Sequence, residues 1–232
     1  MKSVKKSPAR LLFMVAIVYL IVPLALMACA GDFSWCQAWV YSLVVFAAGV
    51  GGRIWSEFQH PGLMTERVKF GKASDVKHWD KILSPLMSFS VGFPMVIVAG
   101  LDHRFNWTTP FALWVNLVGL LIVVLGYAVV IWAMIVNSFF SSVVRIQKER
   151  GHAVCDTGPY RIIRHPGYAG NLVALFGIVM ALDSLWALIP TIAALAIVLI
   201  RTALEDQTLQ LELPGYREYT CRVHYRLFPG IY

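Results

Sequence analysis

The chain has 232 residues, of which 58% are hydrophobic and 14% are charged. Soluble domains carry roughly 45–50% apolar and about 25% charged residues, so this composition excludes an ordinary soluble domain and favours a helical membrane protein. The formal net charge of +7 does not indicate a nucleic-acid partner, because basic residues collect in the cytoplasmic loops of membrane proteins.

Apolar segments of membrane-spanning length predict an all-α integral membrane protein with about six transmembrane helices in three hairpins. The predicted helices lie at about residues 11–30, 35–54, 82–101, 111–136, 166–182 and 185–204. The first of these resembles a signal peptide, but its apolar part is about 20 residues long, so we expect a membrane helix. The apolar run at 169–200 would form a single helix of about 48 Å, too long for a bilayer core of about 30 Å. Asp183-Ser184 is therefore predicted to turn the chain back, and Pro190 is expected to kink the sixth helix.

The distribution of basic residues predicts the topology. If both termini, the loop at 55–81 and the loop at 137–166 are cytoplasmic, all of the 20 Lys and Arg residues except Arg104 lie inside. The positive-inside rule predicts this bias. We expect two units: residues 1–136, with helices 1–4 and the cytoplasmic loop 55–81, and residues 137–232, which carry most of the polar side chains.

The cysteines show no spacing that is typical of a zinc or redox site. They are Cys29, Cys36, Cys155 and Cys221. The predicted topology places Cys155 and Cys221 on the reducing side of the membrane. We therefore expect no disulfide and no metal site.

Residues 158–168 form a dense polar stretch between two long apolar regions. Basic residues at a cytoplasmic helix start are commonly topology anchors, and tyrosine is ordinary at the membrane interface. However, the acidic pair Glu205-Asp206 follows the sixth predicted helix and returns to the membrane face that carries His165. Ionisable groups at membrane depth are functional candidates, and histidine and arginine beside carboxylates suit a zwitterionic ligand. An isolated ion pair is the alternative.

Several spaced motifs follow one another in the second half of the chain. They are Asn137-Ser138-Phe139-Phe140, Gly158-Pro159-Tyr160-Arg161, Arg164-His165-Pro166-Gly167-Tyr168, Glu205-Asp206 and Pro214-Gly215-Tyr216-Arg217-Glu218-Tyr219. In this order they resemble the isoprenylcysteine carboxyl methyltransferase family, whose general plan phospholipid N-methyltransferases share. The resemblance covers about residues 137–232, whereas the first 130 residues match only as membrane helices. Trp79-Asp80-Lys81 resembles bacterial members, which suggests the inner membrane of a prokaryote.

The resemblance implies a methyltransferase that binds S-adenosylmethionine on the cytoplasmic side and modifies a lipophilic acceptor, most simply the carboxylate of an isoprenylcysteine-like lipid. The implied cofactor-binding residues are His152, Val154, Gly158, Tyr160, Arg164, His165, Tyr168, Glu205 and Asp206. Asp206 stands where the family has a second glutamate. The implied catalytic residues are Glu205, Arg145 and Arg201, the last of which matches the family's acceptor-binding arginine. A simpler interpretation of Arg201 is an anchor whose charged end extends to the interface.

The residues leave other functions open. A phospholipid amine or a thiol is an alternative acceptor. The sterol reductase family has a similar C-terminal plan, so an enzyme that uses NADPH is a second hypothesis. A non-catalytic protein that binds lipid in a retained pocket is a third. All of these hypotheses predict lipophilic small molecules and membrane lipids as partners, without nucleic acid or metal.

Overall fold

The computed structural model describes residues 8–68 and 75–232. These residues form eight α-helices and two short 3₁₀ turns, Lys148–Arg150 and Gly158–Arg161, without a β-strand. The helices are α1 (Pro8–Ala30), α2 (Cys36–Gln59), α3 (Leu63–Val68), α4 (Asp80–Phe105), α5 (Leu113–Val136), α6 (Pro166–Ala181), α7 (Leu188–Glu212) and α8 (Tyr216–Arg222). The basic N-terminal residues 1–7 and the loop residues 69–74, which contributed to the topology prediction, lie outside the described residues.

Five of the described helices are long and apolar enough to cross a membrane: α1, α2, α4, α5 and α7. The predicted class, an all-α membrane protein, is therefore confirmed. α6 is also apolar, but its 16 residues correspond to about 24 Å of helix, which is shorter than an apolar bilayer core of about 30 Å. In place of six equivalent crossings, the described residues form five long helices and one short apolar helix.

The segment after α2 is partly helical where the sequence predicted only a polar loop. α2 continues beyond its predicted end, and α3 follows after a short turn. The carboxylate of Glu57 accepts hydrogen bonds from the backbone N–H groups of Gly62 (2.7 Å) and Met64 (2.8 Å), and so caps the start of α3. Leu63 and Met64 are buried, so α3 is docked against the bundle.

α7 differs from its prediction at both ends. It continues to Glu212, so Glu205 and Asp206 lie within the helix rather than after it. The extension is stable because Leu209 packs against a second apolar cluster, which includes Tyr216 of α8. Pro190 lies in the first turn of α7, where the missing N–H removes no intrahelical hydrogen bond, so the physical reason for the expected kink is absent there.

Four glycines bring α5 and α6 into backbone contact. Gly119 and Gly126 of α5 face Gly177 and Gly170 of α6, and a Cβ added at any of them would lie within 2.7 Å of a backbone atom of the opposite helix. Small residues allow membrane helices to approach this closely. The close pair fixes both ends of the loop at 137–165 that connects the two helices.

α2 carries a cluster of three glycines, Gly49, Gly51 and Gly52, which also serves helix packing within the chain. Gly49 faces the ring of Tyr19 on α1, and Gly52 faces Ile131 on α5. Gly51 differs, because a Cβ at this position would have no atom within 4 Å. Two of the three glycines thus allow a neighbouring helix to approach α2 closely.

Polar residues gather at the two ends of the bundle. At one end the buried carboxylate of Asp102 accepts hydrogen bonds from the hydroxyls of Thr108 (2.8 Å) and Ser184 (2.6 Å). The chain turns back here at Asp183, which has a φ of +54°, as the sequence predicted. At the other end, the start of α4, the end of α5, the start of α6 and the last turns of α7 converge under the loop at 137–165 and the C-terminal tail. The candidate site lies at this second end.

Candidate active site

A cleft opens between the loop at 137–165, the start of α6, the last turns of α7 and α8. Its empty space, counted with the open mouth, is about 800 Å³. Eight of the predicted site residues line it: Arg145, His152, Val154, Tyr160, Arg164, His165, Tyr168 and Glu205. The other three, Gly158, Arg201 and Asp206, lie outside its lining.

The α6–α7 pair places His165, Tyr168 and Glu205 on one wall of the cleft. The rings of His165 and Tyr168 are nearly parallel, with centroids 5.7 Å apart. The hydroxyl of Tyr168 donates a hydrogen bond of 2.5 Å to Oε2 of Glu205, 37 residues further along the chain. The turn at Asp183 therefore brings the imidazole and the carboxylate to the same cavity.

Arg201 lies behind this wall and is 2% exposed. Its Nε and Nη2 donate to the two carboxylate oxygens of Asp80 on α4, at 2.7 and 3.2 Å. Nη1 donates to the hydroxyl of Tyr168, and Nη2 also donates to the carbonyl of Ser142 at 3.0 Å. Arg201 thus reaches the cleft only through Tyr168, and Asp80 compensates its charge.

Asp206 is fully buried behind the same wall and is surrounded by cationic side chains. Its Oδ1 lies 3.3 Å from Nε of Arg164 and 3.5 Å from Nε2 of His165. Its Oδ2 accepts hydrogen bonds from Gln210 (2.8 Å) and from Arg226 of the C-terminal tail (3.0 Å). The backbone N–H of His165 also donates to the carbonyl of Arg226 at 2.9 Å. Asp206 therefore anchors the start of α6 and the tail, rather than facing the cleft as expected for a cofactor ligand.

His152 lies on a second wall of the cleft, where the resemblance implies an adenine contact. Its ring packs on Phe139 with centroids 4.6 Å apart. The backbone N–H of Gln147 donates to Nδ1 at 3.3 Å, so the neutral ring carries its proton on Nε2. Burial, and then the positive charges of Arg145 and Arg150, lower the pKa of His152 to about 4. The imidazole is therefore a neutral hydrogen-bond donor at neutral pH.

Arg145 lines the cleft, but carboxylates already compensate its charge. Its guanidinium donates to Glu66 of α3 (2.8 Å), Asp75 (3.0 Å) and Glu149 (2.7 Å). Burial would lower the pKa of Arg145, but the hydrogen bonds to Glu149, Asp75 and Glu66 outweigh it and raise this pKa above its usual value. Arg145 thus ties α3 to the loop above the cleft, and an anionic acceptor would compete with these carboxylates for it.

Gly158 shapes the backbone beside the cleft and does not line the cleft surface. Its φ of +55° is in the left-handed region, and a Cβ here would lie 2.9 Å from Val136 and 3.1 Å from Trp132 of α5. The 3₁₀ turn that it begins carries Tyr160, whose carbonyl accepts a hydrogen bond from the hydroxyl of Tyr219 at 2.7 Å. Burial raises the pKa of Tyr160, so its hydroxyl stays protonated.

Several residues of the site were not predicted from the sequence to have a role there. The aromatic lining also includes Phe139, Phe140, Tyr216 and Tyr219. These residues stand within the motifs quoted above, and the motifs were the signal that could have found them. Asp80 was quoted as part of Trp79-Asp80-Lys81, but nothing in the sequence paired it with Arg201.

Comparison with known proteins bears on the same part of the chain. Residues 114–212, less than half of the chain, match the family model described as Phospholipid methyltransferase. This segment contains α5 except its first residue, α6, α7 and the loop at 137–165, and therefore most of the cleft. The match confirms the resemblance to membrane methyltransferases that the spaced motifs indicated.

Two curated relatives point to the same group. Both are called "Probable protein-S-isoprenylcysteine O-methyltransferase", one from Oryza sativa subsp. indica and one from subsp. japonica, and each is 38% identical to this chain over 64 residues. The alignment covers 27% of this chain and 34% of each relative. The chain thus spans about a third of the length of the curated relatives it matches. The fold defines a helical membrane protein, and the comparisons show that the segment with most of its cleft is similar to a phospholipid methyltransferase family.

Proposed function

We propose that this chain is an integral membrane methyltransferase that binds S-adenosylmethionine in the cleft and methylates a lipophilic acceptor. The carboxylate of an isoprenylcysteine-like lipid is the favoured acceptor, because the two rice relatives are named as probable protein-S-isoprenylcysteine O-methyltransferases. The observation that carries the proposal is the shared wall of His165, Tyr168 and Glu205, within the segment matched to methyltransferases. The description of that family makes a phospholipid amine the second candidate acceptor.

The side chains of the cleft suit the chemistry of S-adenosylmethionine, which carries a sulfonium cation, an ammonium group, a carboxylate and an adenosine. Glu205 offers a carboxylate for the ammonium group or the ribose hydroxyls. Arg164 and His165 offer N–H groups for the carboxylate. The rings of Tyr160 and Tyr168 offer faces that attract a cation. Each ionic group of the ligand therefore has a complementary group in the lining.

The residues of this wall contribute to catalysis by aligning the donor and the acceptor. When bound, S-adenosylmethionine supplies an electrophilic methyl group. Alignment of two reactants can lower the activation barrier by roughly 7–11 kcal/mol. A carboxylate acceptor needs no general base. Tyr168 fixes the Glu205 carboxylate, and Arg201 fixes Tyr168 from behind. We therefore assign Arg201 a positioning role, and we assign Asp206 the same role toward Arg164 and His165.

We further propose that the cleft faces the cytoplasm of a prokaryotic cell, that both termini lie on that side, and that α6 and α7 cross the membrane as a hairpin. Arg104 is the only Lys or Arg among the described residues at the end of the bundle that carries Asp102. This asymmetry supports the orientation. The proposed orientation lets a water-soluble donor enter from the cytoplasm while a lipid acceptor approaches from the bilayer.

Donor binding tests the proposal directly. Calorimetric titration of the purified chain with S-adenosylmethionine compares the parent protein with Glu205→Ala and His165→Ala. Each substitution removes a group that binds an ionic part of the donor, and we expect affinities weaker by about tenfold or more. Glu212→Ala is the matched control, since this glutamate lies in the last turn of α7 and pairs with Lys77 outside the cleft. Unchanged affinity in both cleft variants, with the fold retained, contradicts the proposal.

Two further measurements separate the other hypotheses. A parallel titration with NADPH distinguishes a reductase, which would bind NADPH in preference to S-adenosylmethionine. Labelled methyl transfer to a membrane extract then identifies the product as a methyl ester, a methylated amine or a thioether. Donor binding without any labelled product would favour a non-catalytic lipid-binding protein.

A further inference from the structure

Arg67 of α3 carries a guanidinium that no carboxylate neutralises within the described part of the chain. Its Nη1 is enclosed by protein and has no hydrogen-bond partner. By contrast, Arg201 is paired with Asp80, and Arg145 binds three carboxylates. Arg67 is partly buried, and a cation in such a place without a counter-charge lowers the stability of its own protein, so its presence beside a cleft indicates a ligand.

The position of Arg67 is fixed by the helix that carries it. Leu63 and Met64 are buried, and Arg67 follows them by one helical turn, so it lies on the same inward face of α3. Glu57 caps the start of the helix, and Glu66 is bound to Arg145 near its end. α3 therefore holds the guanidinium in a defined place.

Phe140 connects Arg67 to the cleft. The guanidinium carbon of Arg67 lies 4.9 Å from the centroid of the Phe140 ring. The same ring lines the cleft and packs on Gly167 of α6, where a Cβ would lie 2.9 Å from it. Arg67 is thus one aromatic ring away from the proposed donor site.

A second unneutralised cation lies nearby. Arg53 of α2 donates to the hydroxyl of Tyr19 (2.5 Å) and to the carbonyl of Gly49 (3.0 Å), but no carboxylate of the described residues lies within ion-pair distance. Burial, and then the charge of Arg53, lower the pKa of Arg67 to about 10. The region between α1, α2, α3 and Phe140 therefore holds two guanidinium groups for which the described residues supply no ion-pair partner.

We propose that Arg67, supported by Arg53, binds the anionic headgroup of the lipid acceptor, so that the protein prefers an amphiphile with a carboxylate or a phosphate over its neutral counterpart. The inference rests on the proposed function, because it assigns the acceptor side of the same site. A guanidinium matches a carboxylate or a phosphate with two parallel hydrogen bonds. Arg201 and Arg145 lack this capacity because carboxylates already hold them.

Matched pairs of charged and neutral amphiphiles test this inference on the full chain in neutral detergent. The carboxylate pair is N-acetyl-S-farnesylcysteine and its methyl ester, and the phosphate pair is dioleoyl phosphatidate and dioleoylglycerol. We expect the parent protein to bind the anionic member of at least one pair about tenfold more tightly, and the pair that shows the preference identifies the headgroup.

Arg67→Met removes the charge and keeps apolar packing on Phe140. We expect this variant to lose the preference, to bind S-adenosylmethionine within about twofold of the parent, and to unfold at an equal or higher temperature, because an unpaired, partly buried charge is gone. Arg67→Lys keeps the charge, and we expect it to retain most of the preference. Arg222→Gln changes a guanidinium that is 66% exposed and is the control for general charge effects.

The outcomes separate this inference from the proposed function. Equal binding of charged and neutral members by the parent, or an unchanged preference in Arg67→Met, overturns the inference while donor binding still stands. An equal loss in Arg222→Gln also overturns it. If Arg67→Met does not fold, Arg53→Gln takes its place, and an unchanged preference there overturns the inference. Failure of the parent to bind S-adenosylmethionine refutes the proposed function. The anion preference is measured without the donor, so the amphiphile pairs still decide whether Arg67 binds an anionic headgroup.

Discussion

Arg201 on α7 and Asp80 on α4, 121 residues apart in the chain, are joined by hydrogen bonds of 2.7 and 3.2 Å inside the bundle. Asp80 also accepts a hydrogen bond from the backbone N–H of Val144 at 2.5 Å. The pair therefore holds two long helices and the loop above the cleft in a fixed relation. Through the hydroxyl of Tyr168, this relation extends to the carboxylate of Glu205.

The first prediction concerns this ion pair. Asp80→Asn leaves a buried guanidinium uncompensated, and we expect the free energy of unfolding to fall by about 3–5 kcal/mol. The double variant Asp80→Leu/Arg201→Met removes both charges and should recover most of that stability, but donor affinity should stay weak because Tyr168 has lost its donor. Unfolding of the protein in detergent measures both effects.

Asp75→Asn is the control for this prediction. Asp75 binds Arg145 with a side chain that is 44% exposed, so its removal should change the stability by less than about 1 kcal/mol. A double variant that is no more stable than Asp80→Asn would contradict the account of Asp80 and Arg201 as mutual counter-charges.

The second prediction concerns the hydroxyl that connects Arg201 to Glu205. Tyr168→Phe removes it and keeps the ring, so the Glu205 carboxylate loses its fixed orientation. A hydrogen bond to a charged group contributes about 1.5–3 kcal/mol, so we expect S-adenosylmethionine to bind about tenfold more weakly, as measured by calorimetry. Tyr225→Phe is the control, because that side chain is 40% exposed. Equal affinities of the parent and Tyr168→Phe would show that Tyr168 does not position Glu205.

The third prediction concerns the pH dependence of stability. Burial and the nearby arginines lower the pKa of His152 from its usual 6.5 to about 4 in the folded protein. Between these values the unfolded chain binds a proton that the folded protein does not, so the contribution of the neutral ring is complete above about pH 6.5 and is lost as the pH falls toward 4. His152→Gln removes this contribution, and its unfolding temperature should depend less steeply on pH over this window.

His78→Gln, which changes an exposed histidine, should keep the slope of the parent protein. If His152→Gln also keeps that slope, the lowered pKa of His152 is wrong.

The fourth prediction concerns the glycine contact of α5 and α6. Gly126→Ala and Gly170→Ala each place a methyl group within 2.6 Å of a backbone oxygen of the opposite helix, so the helices must separate. We expect a loss of about 1–3 kcal/mol in the free energy of unfolding, together with weaker donor binding, because the ends of the cleft loop move. Gly51→Ala meets no neighbour, and its better helix propensity should stabilise by up to about 1 kcal/mol. Equal effects of all three substitutions would rule out close packing as the cause.

The long helices and the turn between α6 and α7 could be predicted from the sequence because their signals are local. An apolar run of sufficient length forms a membrane helix wherever it occurs, and Asp183-Ser184 interrupts such a run. The last turns of α7 and the helix α3 could not be predicted in this way. They are amphipathic rather than apolar, and they are helical because Leu209 packs on a cluster that includes Ile146 and because Leu63 is buried in the bundle.

The motifs and the resemblance that they carry likewise identified eight residues that line the cleft, since both reflect which side chains one chemistry requires. They did not reveal that Asp206 faces inward toward Arg164 and His165, or that Arg67 has no counter-charge among the described residues. The sequence by itself determined the membrane class, the order of the helices and the residue types of the site. Only the tertiary structure decided which charges neutralise one another. Such pairing depends on distances of a few ångströms between residues that lie up to 121 positions apart.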